Sequence, residues 1–130
     1  MLFYGQHVSH EWERRNLLRN FAAGRIKRAD ICDADFLLVT ASEYHGEPSR
    51  RPCPVCEKTM NNVRWIYGEQ LGRRSGTARS AEEIETIAAE AGPITVHRVE
   101  VCPHCRWNHL LEESVAQWHP GPGNNTEEKY

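Results

Sequence analysis

Two short runs, Cys53-Pro-Val-Cys56 and Cys102-Pro-His-Cys105, stand 45 residues apart in a chain of 130. A C-x-x-C turn lets two thiolates face one ion at about 2.3 Å each, and two such turns complete a tetrahedral four-sulfur site. Proline after the first cysteine presets φ near about −65° for each turn. Any fold open to this chain must therefore bring the two distant turns into one coordination sphere. Soft thiolates in a closed tetrahedron favour zinc, and iron is the alternative that spacing leaves open. Separate redox-active C-x-x-C sites are the competing reading, but a thioredoxin-type site follows a strand in a βαβ unit and has no need to recur. One structural Zn2+ per chain is expected, held by Cys53, Cys56, Cys102 and Cys105. Four thiolates leave no coordination position for water or substrate, so catalysis by this ion is not expected.

The compartment follows from the thiols. "MLFYGQHVSHEWERR" has no basic lead into a long apolar stretch, so no secretory signal is visible. No apolar run approaches the roughly 18 residues of a membrane span. Cysteines outside an oxidising compartment bind metal more often than they pair, and a cytoplasmic location without a membrane partner is expected. Cys32, the fifth cysteine, is expected to be a small buried apolar residue.

The flanks of the turns read as strands. "NVRWIYGE" after the first turn alternates Val63, Trp65 and Tyr67, and "ITVHRVEV" leads into the second. "WNHLLEESV" leaves the second turn. Trp107, Leu111, Val115 and Trp118 also fit helical spacing, which would place a helix after that turn; the ribbon strand is preferred. Between the turns, "SAEEIETIAAEAG" begins with a capping box, Ser80 and Glu83, and ends at Gly92 and Pro93, so it reads as an inserted helix over 80–91. Upstream, "SHEWERRNLLRNFAAG" is a helix whose buried stripe is expected at Leu17, Leu18 and Phe21, with Val8 and Trp12 beside it. "DADFLLVTASEYHG" places Leu37 or Leu38, Ala41 and Tyr44 at helical spacing. The expectation is an α+β protein: a helical unit over 1–48 packed on a small antiparallel zinc ribbon over 49–118, followed by a disordered tail over 119–130.

The ordered set "ADICDADFLL", "HGEPSRRPCPVC", "VRWIYGEQLG", "SGTARSAEE" and "HRVEVCPHCRWNHLL" resembles a family of small uncharacterised actinobacterial proteins with a zinc-ribbon core. The resemblance covers nearly the whole chain apart from its two ends. It implies cytoplasmic residence and a Cys₄ site at the same four positions, and nothing about a substrate. Many zinc ribbons carry glycine after the second cysteine of each turn; here Glu57 and Arg106 stand there.

Charge is segregated along the chain although the net is only −2. Arg14 to Arg28 is basic, Asp30 to Glu47 acidic, and Arg50 to Arg79 basic again. One reading has neighbouring elements neutralise one another; the sharper one has basic faces meet phosphate. Arg50 and Arg51 beside the first turn, and Arg73, Arg74 and Arg79 in the loop "LGRRSGTARS", are the candidates for phosphate or partner contacts. They motivate docking on nucleic acid or on a nucleoprotein machine of transcription or translation. The alternative is a protein-only adaptor that uses the helical unit and its Arg14–Arg28 face. Trp65, Tyr67 and Trp107 are expected to pack the sheet rather than to stack bases. No Ser/His/Asp or paired-carboxylate arrangement emerges, so neither an enzyme nor a small-molecule substrate is expected.

Overall fold

A computed structural model describes residues 1–120, so the tail expected over 119–130 lies outside the described residues beyond Pro120. The chain opens with a strand, β1 (Leu2–Ser9), and continues through three helices, α1 (Glu11–Ala22), α2 (Arg28–Ile31) and α3 (Phe36–His45). A two-residue strand, β2 (Glu47–Pro48), leads past the first cysteine turn into β3 (Asn61–Tyr67). A 3-10 turn (Glu69–Arg74), a short strand β4 (Thr77–Arg79) and helix α4 (Ala81–Ala91) precede β5 (Ile94–Val101). The second cysteine turn joins β5 to β6 (Asn108–Trp118).

This is the expected α+β class, built on a larger sheet than a bare ribbon. Six antiparallel strands run in the order β1-β6-β5-β3-β2, with β4 also paired to β3. Residues 108–118 are a strand, as preferred: β6 pairs with β5 from Val101↔Asn108 to Ile94↔Ala116. The backbone groups of that segment find partners on both sides, which a helix there would have had to supply internally.

The first departure is β1. Residues 2–9, assigned to the helical unit from sequence, pair with β6 from Leu2↔Trp118 to Ser9↔Glu112. Their alternation is broken by a register shift between Gly5 and Val8, where Gln6 takes φ 51°. A bulge of this kind turns successive side chains out of the period-two pattern, so the strand signal is lost. In consequence Val8 and Trp12, expected beside the α1 stripe, are exposed, while Leu17, Leu18 and Phe21 are half-buried as that stripe. On α3, Leu38 and Ala41 face inward but Leu37 and Tyr44 face solvent.

Helix boundaries follow local chemistry. Asp35 caps α3 by accepting from the Leu38 backbone N–H at 2.8 Å. Ser80 and Glu83 form the expected capping box on α4, and Gly92 ends it with φ 87°.

The strand expected at "NVRWIYGE" is β3, and each of its faces carries part of an apolar cluster. Ile66 joins Ile84, Ile87, Ile94, Val96 and Ala116 under α4. On the other face Val63 and Val101 pack with Ala34, Leu38 and Ala41 of the α3 region, and Trp65 is half-buried there. Tyr67, expected on the same face as Val63, is at the exposed end of the strand. A third buried group, Ile31, Met60, Trp107, Cys53 and Cys102, lies where α1 and α2 meet the cysteine turns.

Candidate metal centre

The backbone brings the two turns together as near copies. The Glu57 N–H donates to the Cys53 carbonyl at 2.9 Å, and the Arg106 N–H donates to the Cys102 carbonyl at 2.9 Å. The Cys53 N–H donates to Lys58 O and the Cys102 N–H to Trp107 O, each at 2.8 Å. Glu57 and Arg106 take φ 67° and 73°, the left-handed conformation for which glycine is suited. The absence of glycine after each turn therefore left the turn geometry intact, at a cost in local strain.

Geometry assembles the four predicted cysteines. Their sulfur atoms all lie within 4.8 Å of one another, with Cys53 to Cys105 and Cys56 to Cys102 both at 3.5 Å. A tetrahedral ion with bonds of about 2.3 Å sets its sulfurs about 3.8 Å apart, so side-chain adjustment suffices to seat one. Cys53 and Cys102 are buried and Cys56 and Cys105 half-buried. Backbone N–H groups already point at the sulfurs: Val55 and Cys56 toward Cys53 at 3.4 and 3.5 Å, and Cys105 toward Cys102 at 3.5 Å. Such donors stabilise thiolate charge.

Burial pushes the Cys53 and Cys105 thiols above their ordinary range. At Cys56 burial also opposes ionisation, but the Lys58 backbone N–H and hydrogen bonds from the neighbouring thiols outweigh it and the thiol is lowered. A divalent cation supplies the charge that converts such a cluster to thiolates. The donor set fits a soft, tetrahedral metal ion.

Helix α1 is fastened to this centre by charge. Arg14 donates to both carboxylate oxygens of Glu100, a residue with no exposed surface, and its guanidinium lies 6.0 Å from the Trp107 ring. Trp107 is fully buried and stacks on His109 at 5.9 Å. Burial lowers the His109 pKa. Trp107 thus packs the sheet, as expected.

Cys32 was expected to be a small buried apolar residue. It is half-buried at the end of α2, and its sulfur lies 3.7 Å from that of Cys105. No sequence spacing signals that contact, because the loop carrying Cys32 is brought in from 73 residues away. The pairing of the Ala34 N–H with Arg106 O at 3.0 Å, and of Arg106 Nε with Ala34 O at 2.6 Å, holds it there.

The five candidate arginines do not converge. Arg51 pairs with Glu11 through two bonds of 2.9 and 3.0 Å and approaches Glu100 at 3.5 Å. Arg79 meets Glu83 at 3.4 Å, and Arg74 meets Glu90 at 3.9 Å. Arg50 and Arg73 are exposed and form no ion pair among the described residues. Arg51, Arg74 and Arg79 are thus matched by carboxylates of other segments or of the adjoining helix, whereas of the Arg14–Arg28 run only Arg14 forms an ion pair among the described residues. Arg64, not singled out from sequence, joins this pattern through Glu47 at 2.9 Å. Among the described residues no helix is long and apolar enough to cross a membrane.

The chain belongs to a family of unknown function (DUF5318), whose model matches residues 1–129. It is 45% identical over 109 residues to the uncharacterised proteins Rv0049 of Mycobacterium tuberculosis and Mb0050 of Mycobacterium bovis, covering 83% of this chain and 80% of each relative. No solved structure matches it.

Proposed function

We propose that this protein is a non-enzymatic binding module in which one structural zinc ion, held by Cys53, Cys56, Cys102 and Cys105, fastens the helices to the sheet. The observation that carries the reading is the four-sulfur cluster, with all sulfurs within 4.8 Å and two of the four cysteines buried. A closed thiolate tetrahedron favours zinc over harder cations and leaves no site for a reacting water. Sulfur-edge and metal-edge X-ray absorption on the purified protein tests it. Four sulfur ligands to one zinc per chain are expected; an oxygen ligand or a second metal would reject a closed structural site.

The module docks on nucleic acid or on a nucleoprotein machine. Support comes from Arg50, Arg51 and Arg98, which line one cleft of about 550 Å³ with Glu11 and Glu47. A pull-down from cytoplasm with and without nuclease tests this, and persistence of a single stoichiometric protein partner after nuclease would reject it. One feature favours the second reading, a protein-only adaptor. Phe36, Leu37 and Tyr44 of α3 are exposed at 79, 73 and 81%, beside a groove of about 590 Å³ floored by Ala41, Trp65 and Ala78. Exposed apolar surface of this kind marks contact sites.

A further inference from the structure

We propose that Arg98 and Arg50 form a phosphate-binding site in the cleft between α1 and the open face of the sheet. The starting observation is a register. Arg64 on β3 stands directly opposite Arg79 on β4 and directly opposite Arg98 on β5. Cross-strand partners share a face, and like charges directly opposite destabilise a strand pair. Folding alone thus gives no reason for three arginines in a row.

Two of the three are answered within the chain. Glu83 meets Arg79 and Glu47 meets Arg64. Arg98 differs. Its partner across β6 is Glu112, whose carboxylate turns instead to His7 at 3.3 Å. Among the described residues Arg98 forms no ion pair or side-chain hydrogen bond, although it is half-buried.

Arg98 lines a cleft of about 550 Å³ together with Arg50, Arg51, Asn62, Glu11 and Glu47. The two carboxylates on its wall are already taken, Glu11 by Arg51 and Glu47 by Arg64. Glu100 beneath is held by Arg14 and Arg51. Two guanidiniums, Arg98 from the sheet and Arg50 from the segment before the first cysteine turn, remain unmatched at one concave site. Asn62 also lines the cleft; its side-chain oxygen is the buried atom, which leaves the amide NH₂ as a further donor without rotation. Two guanidinium forks lining one cleft with a neutral donor match the charge and the several acceptor oxygens of a phosphate group. The volume also admits the sugar to which a phosphate is attached.

The site deepens the nucleic-acid reading above by naming the group recognised and moving it away from the Arg73–Arg79 loop; it rests on that reading only for the identity of the phosphate's carrier. The test is a ¹H–¹⁵N titration of the full chain, purified with its metal, against inorganic pyrophosphate and against an eight-nucleotide single-stranded DNA. Saturable shifts are expected at Arg50, Asn62 and Arg98. Arg98→Gln should weaken binding at least tenfold, whereas Arg73→Gln should leave it unchanged. The melting temperature of Arg98→Gln should hold or rise, since the substitution relieves the repulsion from Arg64. A fall of several degrees would make Arg98 a structural residue and overturn the assignment. Binding of pyrophosphate without the oligonucleotide keeps the cleft and rejects nucleic acid as the carrier. Oligonucleotide binding that Arg98→Gln leaves unchanged overturns the cleft while sparing the nucleic-acid reading. No saturable shift with either probe overturns the cleft outright.

Discussion

At the end of the sheet covered by α4, Ile66, Ile84, Ile87, Ile94 and Val96 are 5% exposed or less, and no charged side chain is buried among them. At the other end the buried group is Ile31, Met60, Trp107 and two cysteines, with the Arg14–Glu100 pair pressed against the tryptophan. The first end is held by apolar burial, worth about 25 cal/mol per Å² removed from water. The second has few aliphatics to bury; it gathers four cysteines that could hold a metal ion beside a desolvated ion pair. A chain with a modest core can thus close a six-stranded sheet by using different physics at its two ends. The two ends should then respond to different perturbations.

The largest contrast should come from the metal. Structural zinc contributes on the order of 10–16 kcal/mol of apparent free energy in small domains. Removing it with a chelator, or changing Cys102→Ser, should release α1 and α2 and lower the melting temperature steeply. Hydrogen exchange should rise first around Ile31, Met60 and Trp107, and only later around Ile84 and Ile94. Simultaneous loss of protection at both ends would show a single cooperative unit and erase the contrast.

Next comes the ion pair. Glu100→Ala leaves Arg14 buried without a partner and should cost about 3–5 kcal/mol, whereas replacing both partners by Arg14→Met and Glu100→Leu should be close to neutral. Denaturant melts of the two variants measure this. At the opposite end, Ile84→Ala should cost about 2–5 kcal/mol as a cavity substitution. Added zinc should not restore that loss, which separates the two ends by rescue as well as by size.

A smaller effect distinguishes the two cysteine turns. Glu57 occupies left-handed backbone without a compensating side-chain bond among the described residues, so Glu57→Gly should raise stability by about 1 kcal/mol. Arg106 has the same backbone, but its guanidinium bonds to Ala34 O at 2.6 Å, and Arg106→Gly should bring no gain. Equal responses in thermal melts would mean that the Ala34 contact contributes nothing.

The smallest contrast is in pH. Hydrogen bonds to Glu13 and then to Glu113 raise the His10 pKa, so its stabilising contribution is complete below about pH 6.5 and is lost as pH rises through the folded value. His109, lowered by burial, has the opposite sign: its contribution is present above about 6.5 and lost as pH falls through the folded value. The stability difference between wild type and His10→Asn should therefore shrink on going from pH 5.5 to pH 8, and a difference that grows would contradict the raised pKa.

What was legible before the fold was known was local. Two cysteine turns, the strands around them, and the Ser80–Glu83 cap are each specified by residues within a few positions, and all recur in the structure. The position of β1 was not legible, because Gly5 and Gln6 break its alternation at the bulge. Nor was the fate of Arg51, Arg74 and Arg79, since a charge run does not say which carboxylate the fold brings to it.

The sequence by itself determined which four residues are placed to hold a metal, because a C-x-x-C turn builds half a coordination sphere from its own backbone whatever surrounds it. It also determined the α+β class, since alternation and capping act over short range. Only the tertiary structure decided that Cys32 touches the cluster, that Arg14 is buried on Glu100, and that Arg64 and Arg98 stand side by side. Each of those depends on strand register and helix docking across tens of residues, and one residue of slip in register would send every side chain of a strand to the other face.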